Sequence, residues 1–178
     1  QTVLVFTDMG NYLFIPVHKV FEAKWKELGK HISNLIQISA EERIIAAMIL
    51  DNPSDNIIMT TKQGTTKRTN LEELIVSRYT KPINAMKLKD GDELVSVSLV
   101  KDEPLILLTK NGMGIKFSSL EIGATSRVTA GVKGINLNAE DEVVAALPVR
   151  DEKDYLAVFG VNGMAKKFAS SELPLQKR

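Results

Sequence analysis

Four short apolar runs recur along the chain, each closed by a few polar residues and a glycine. They are Val3-Leu4-Val5-Phe6-Thr7-Asp8-Met9-Gly10, Ile57-Ile58-Met59-Thr60-Thr61-Lys62-Gln63-Gly64, Leu105-Ile106-Leu107-Leu108-Thr109-Lys110-Asn111-Gly112 and Leu156-Ala157-Val158-Phe159-Gly160-Val161-Asn162-Gly163. Each predicts a strand entering a tight hairpin, with glycine supplying the positive φ of the turn. The four align without gaps, and their glycines lie 54, 48 and 51 residues apart. Ten residues beyond each glycine stands an aliphatic residue: Val20, Leu74, Ile122 or Leu173. Between the hairpins, Glu42-Arg43-Ile44-Ile45, Asp92-Glu93-Leu94-Val95 and Asp141-Glu142-Val143-Val144 predict a turn and then a further strand. Asp90-Gly91-Asp92 adds explicit turn chemistry to the second of these.

A period near fifty residues with several short strands per unit predicts an all-β, propeller-like array of four-stranded blades, about four of them visible. The repeats run roughly 1–50, 51–100, 101–150 and 151–178, the last stopping after its hairpin at Leu173. Repeats of this kind bury their apolar faces against neighbours, so the chain is expected to form one repeat-built domain without an internal linker. The only helix-like run is Val20 to Leu28, which holds Trp25.

Composition narrows the chemistry. The chain has no cysteine, which excludes disulfides and thiolate metal sites, and its two histidines, His18 and His31, make a histidine zinc site improbable. No segment reaches the roughly 18 apolar residues that span a bilayer, and the opening Gln-Thr-Val-Leu-Val-Phe is a strand, not a secretory signal. A cytoplasmic piece of a longer protein is the expectation. No phosphate loop occurs, and no acid, base and nucleophile suggest themselves as a set, so catalysis by this chain is not expected. The net charge of +1 does not argue for nucleic acid; the positions of the cations must.

Four residues after the repeat glycines stand Phe14, Arg68, Lys116 and Lys167, and Lys67 and Lys166 precede two of them. A recurrent cation on a half-buried strand is expected to face outward and to neutralise phosphates around a common perimeter. A second basic group falls in the connections between hairpin and next strand. Three equivalent slots are Gly29-Lys30-His31-Ile32-Ser33-Asn34-Leu35, Tyr79-Thr80-Lys81-Pro82-Ile83-Asn84-Ala85 and Val128-Thr129-Ala130-Gly131-Val132-Lys133-Gly134, flanked by Lys24, Lys26, Arg78, Lys87 and Arg127. Gly131 and Gly134 would let the backbone around Lys133 approach a phosphate. A propeller serving as a protein-interaction scaffold is the reading of another class; there the cations would only confer solubility.

The segments Phe6 to His18 and Lys24 to Ser33, together with Gly64 to Thr69 and Gly163 to Phe168, resemble the C-terminal domains of the bacterial gyrase and topoisomerase IV A subunits. The resemblance covers essentially the whole chain. It implies a β-pinwheel, whose blades exchange strands, binding double-stranded DNA around a basic perimeter in the bacterial nucleoid. It also implies a parent type II topoisomerase that uses ATP and Mg, and no cofactor in this domain. The implied partners are the catalytic core of the same subunit, together with an ATPase B subunit. The cleavage tyrosine would lie elsewhere, so Tyr12, Tyr79 and Tyr155 have no such role. Gyrase carries a Gln-Arg-Arg-Gly-Gly-Lys-Gly box in its first blade. The slot Gly29–Leu35 lacks the arginine pair and double glycine, which points to the topoisomerase IV type over the gyrase wrapping domain.

Overall fold

The computed structural model describes residues 1–178 as thirteen β-strands joined by turns and single-turn 3-10 helices. The first blade is built from β1 (Thr2–Thr7), β2 (Asn11–Pro16), β3 (Ile44–Leu50) and β6 (Ile83–Asn84), in the order β3-β1-β2-β6. The second holds β4 (Asn56–Thr61), β5 (Thr65–Asn70), β7 (Leu94–Val100) and β10 (Val132–Lys133), in the order β10-β5-β4-β7. A third sheet, β11-β8-β9, uses β8 (Pro104–Thr109), β9 (Gly114–Ser118) and β11 (Val143–Pro148), and β12 (Tyr155–Phe159) pairs with β13 (Ala165–Ala169). Thus β6 comes from the second repeat but completes the first blade, and β10 comes from the third but completes the second. This exchange of strands is the β-pinwheel.

The four glycines sit at equivalent turns with φ of 74° (Gly10), 80° (Gly64), 82° (Gly112) and 81° (Gly163), the left-handed region that a side chain disfavours. Register agrees with the alignment: Leu4 faces Phe14, Ile58 faces Arg68, Ile106 faces Lys116 and Ala157 faces Lys167. The strand following each acidic turn pairs with the hairpin through a bulge at the same place, beside Thr7, Thr61 and Val143. The extra residue re-aims the strand as it enters the blade.

Successive blades stack face to face. Leu4, Phe6, Tyr12 and Phe14 on one face of the first blade pack with Ile57 and Met59 of the second. The opposite face of the second blade, through Ile58, packs with Leu105, Leu107 and Phe117 of the third. Both faces of an inner blade are therefore apolar, which explains the continuous apolar runs where a one-sided sheet would alternate. Burying such a side chain contributes about 1.5–3 kcal/mol each. The aliphatic residue ten positions beyond each glycine closes a 3-10 turn, and Leu74 and Ile122 are buried there. Tyr12 donates its hydroxyl to the Leu74 carbonyl at 2.9 Å, and burial pushes its pKa up to about 12.

Val20–Leu28 does not form the helix its composition suggests. It is irregular apart from one turn, in which Glu27 N donates to Lys24 O at 2.9 Å. Every residue from Val17 to His31 is exposed, so no packed face stabilises a helix there.

Candidate nucleic-acid interface

The strands β3, β7 and β11 lie against one another from blade to blade, which places them on the inner side of the array. The exchanged strands β6 and β10 occupy the opposite edges and form the outer rim of the first two blades. Each is docked in the same way: Ala85 N donates to Gly10 O at 2.8 Å, and Gly134 N donates to Gly64 O at 2.8 Å. Lys81 stands just before β6 and Lys133 lies in β10, both exposed. Arg78 is exposed on the same connection as Lys81.

Arg127, in the third connection, is only half exposed. Its guanidinium donates to Asn84 O at 3.1 Å, and Arg178, one repeat later, donates to Lys133 O at 2.9 Å. These arginines staple the exchanged strands. The signal was present in the sequence, since both stand fifteen residues after a repeat glycine, but nothing local distinguishes a staple from a phosphate contact.

In the first connection Lys26, Lys30 and His31 are exposed. Lys30 Nζ lies 3.9 Å from the centroid of the Phe21 ring, and His31 Nδ1 accepts from Ser33 N at 3.3 Å. This connection pairs with no blade edge. Instead Ile32, Leu35, Ile36 and Ile38 cover the outer face of the first blade at Val3, Val5, Leu13 and Ile15.

The hairpin cations depart from expectation. Lys116 is 5% exposed and donates to Ser170 O at 3.2 Å, while Arg68 donates to Lys101 O at 2.9 Å and approaches Asp102 at 3.4 Å. Lys67 is 1% exposed, its ammonium held by Ala85 O at 2.8 Å and Arg127 O at 2.6 Å. Burial, and secondarily the charge of Arg127, lowers the Lys67 pKa to about 8. The physical reason is the stacking: both faces of a hairpin meet a neighbouring blade, so a residue aimed out of its sheet enters an interface. Lys166 and Lys167 are exposed, and Lys167 Nζ lies 4.1 Å from the Tyr155 ring centroid.

Gly131 and Gly134 also have another role than a phosphate cradle. A Cβ on Gly131 would lie 2.4 Å from Thr66 O, and one on Gly134 would lie 2.5 Å from Thr66 Oγ1. The close approach they permit is that of β10 to β5.

The acidic residues of the repeat serve the turns. Glu42 accepts from Thr7 Oγ1 at 2.6 Å and Asn11 Nδ2 at 2.9 Å, and Asp92 accepts from Gln63 N at 2.9 Å. Asp141 accepts from Asn111 N at 3.1 Å. Burial opposes ionisation of Asp141, but the turn donors prevail and hold its pKa below the usual carboxylate range. Lys62 and Lys110, at 3.2 and 3.3 Å, hold the Glu142 pKa low as well and tie the second blade to the third.

The family model described as DNA gyrase C-terminal domain, beta-propeller matches residues 1–51, 55–101, 103–150 and 154–178. The chain belongs to the DNA gyrase C-terminal domain family. Within that family it is 39% identical to the DNA topoisomerase 4 A subunit of Staphylococcus epidermidis and 35% identical to that of Bacillus subtilis, over its whole length. It spans 22% of the length of each of those relatives. Its structure superposes on 56% of a solved C-terminal domain of DNA topoisomerase IV, covering 99% of this chain with a TM-score of 0.95 and 34% identity. A solved DNA gyrase A C-terminal domain gives a TM-score of 0.80 at 27% identity, over 99% of this chain and 57% of that one. The resemblance drawn from the repeat motifs therefore holds, and the pinwheel with it.

Proposed function

We propose that this chain is a non-catalytic duplex-DNA-binding domain of a topoisomerase IV A subunit, which positions DNA for the parent enzyme's ATP-dependent strand passage in relaxation and decatenation. The observation that carries the reading is the outer rim, where Lys81, two residues before the exchanged strand β6, and Lys133, in the exchanged strand β10, are both exposed on successive blades. Arg78, Lys26, Lys30, Lys166 and Lys167 add exposed cations, and His31 an exposed imidazole. Arg127 contributes from a half-exposed position with its guanidinium already engaged, whereas the Arg68 side chain is largely buried and held by Lys101 O and Asp102. Lys67 supports the rim from inside through Ala85 O and Arg127 O, and Lys116 is buried against Ser170 of the last repeat. The partners in this reading are the catalytic core of the same subunit, together with an ATPase B subunit; ATP and Mg belong to the parent enzyme. Topoisomerase IV is favoured over gyrase because Gly29–Leu35 carries no arginine pair or double glycine.

The test is duplex affinity as a function of salt. Binding through phosphates gives a steep log–log dependence, with a slope of about −0.9 per phosphate neutralised. The double change Lys81→Glu and Lys133→Glu is expected to weaken binding of any duplex sequence and to flatten that slope by about 2. A salt-independent affinity, or a double variant indistinguishable from the parent, would exclude the rim and favour a protein-interaction scaffold.

A further inference from the structure

The chain contains one tryptophan, and it is buried against nothing. Trp25 and Leu28 are each 100% exposed, although tryptophan is on average among the more buried residue types. Trp25 lies within the turn Lys24–Glu27 and Leu28 just after it, and the turn holds itself together: Glu27 N donates to Lys24 O at 2.9 Å, and the Glu27 carboxylate accepts from Lys24 N at 3.0 Å. Phe21, the other large aromatic of the segment, is capped by Lys30. The turn therefore presents an uncovered indole and an uncovered leucine, with the exposed Lys24 and Lys26 on either side of the indole.

The base of the segment is also tied to the basic rim. Lys19, where the segment leaves the first blade, lies 4.7 Å from the centroid of the Tyr79 ring. Tyr79 packs on Phe14 at 5.5 Å and belongs to the connection that carries Arg78 and Lys81. The segment that carries the tip thus leaves the first blade beside the outer edge.

We infer that Trp25, supported by Leu28, is an apolar wedge that inserts at a base step of duplex DNA, while Lys24 and Lys26 engage the phosphates beside it. Apolar side chains inserted between base steps unstack them and kink the duplex, and an indole stacks on any base. Charge favours DNA over an apolar protein groove. Residues 18–31 carry Lys19, Lys24, Lys26 and Lys30 and two histidines against Glu22 and Glu27, and the Glu27 carboxylate is occupied within the turn. The wedge rests on the DNA-binding reading and adds to it a residue that sets where and how sharply the duplex bends.

The single tryptophan makes the test direct. Duplex binding is followed by anisotropy of a labelled DNA of about 30 base pairs, bending by energy transfer between its ends, and the wedge by Trp25 emission and its quenching by acrylamide. Binding should quench Trp25 and shield it from acrylamide. Trp25→Ala, at a site without packing to lose, should leave the fold intact, reduce the bend and weaken affinity about fivefold or more, while Trp25→Phe keeps part of the bend. Duplex binding with unchanged Trp25 emission and acrylamide access overturns the wedge and leaves the DNA-binding reading standing. Shielding that arises only when the parent enzyme's catalytic core is added overturns it in favour of a protein contact. Failure to bind duplex even at low salt overturns the underlying reading and the wedge together.

Discussion

Arg127 donates its guanidinium to the carbonyl of Asn84 at 3.1 Å, joining the third repeat to the strand that the second repeat lends to the first blade. The same contact one repeat later, Arg178 to Lys133 O, shows that it is a recurrent joint of the array. Because β6 pairs through only two residues, a hydrogen bond from a charged group is a large fraction of what holds it. Arg127→Met should destabilise by roughly 1–2 kcal/mol, and hydrogen exchange at Ile83 and Asn84 should accelerate more than at β1. Equal acceleration throughout would show that the joint is not local.

Lys67 links stability to pH. Its folded-state pKa of about 8 lies below the usual 10.5, so between those values the unfolded chain binds more protons. Stability then rises with pH across that window. The parent should gain on the order of 2 kcal/mol over the window relative to Lys67→Met, which has no ammonium to desolvate. Parallel denaturation midpoints for the two proteins from neutral pH to about 10 would contradict the buried-charge assignment.

Glycine substitutions separate backbone strain from collision. Gly112 and Gly10 share a positive φ, but a Cβ on Gly112 meets nothing within 4 Å, whereas one on Gly10 lies 2.7 Å from Met86 O. Gly112→Ala should cost about 1 kcal/mol, and Gly10→Ala distinctly more. Gly131→Ala should cost roughly 2 kcal/mol or more by pushing β10 off β5, while Gly123→Ala, with open space, should be nearly neutral. Thermal unfolding of the four variants gives the ranking.

The rim cations are sparse, which bears on wrapping. Bending 20–30 base pairs by 40–90° costs about 1–6 kcal/mol and must be offset by phosphate contacts. The three slots offer Lys30 and His31, then Lys81, then Lys133. Ligating nicked plasmid in the presence of saturating protein should shift the linking number little or not at all. A large shift would indicate a stable chiral wrap of the gyrase kind.

The sequence by itself determined the strands, the hairpin glycines and the period, because these follow from local backbone preference and from short apolar runs bounded by turn residues. It also located the connections, since a charged pair ahead of an aliphatic run is a local turn signal. Only the tertiary structure decided which cations meet solvent. Strand alternation assigns Arg68 and Lys116 to one face of a hairpin and Lys67 to the other, but stacking turns both faces inward. Strand exchange was likewise out of reach of residue-by-residue reasoning, except through the family resemblance. The two residues of β6 and the two of β10 are held by partners about seventy positions away, and Gly131 is required by the backbone of Thr66, a contact that no spacing within one repeat records.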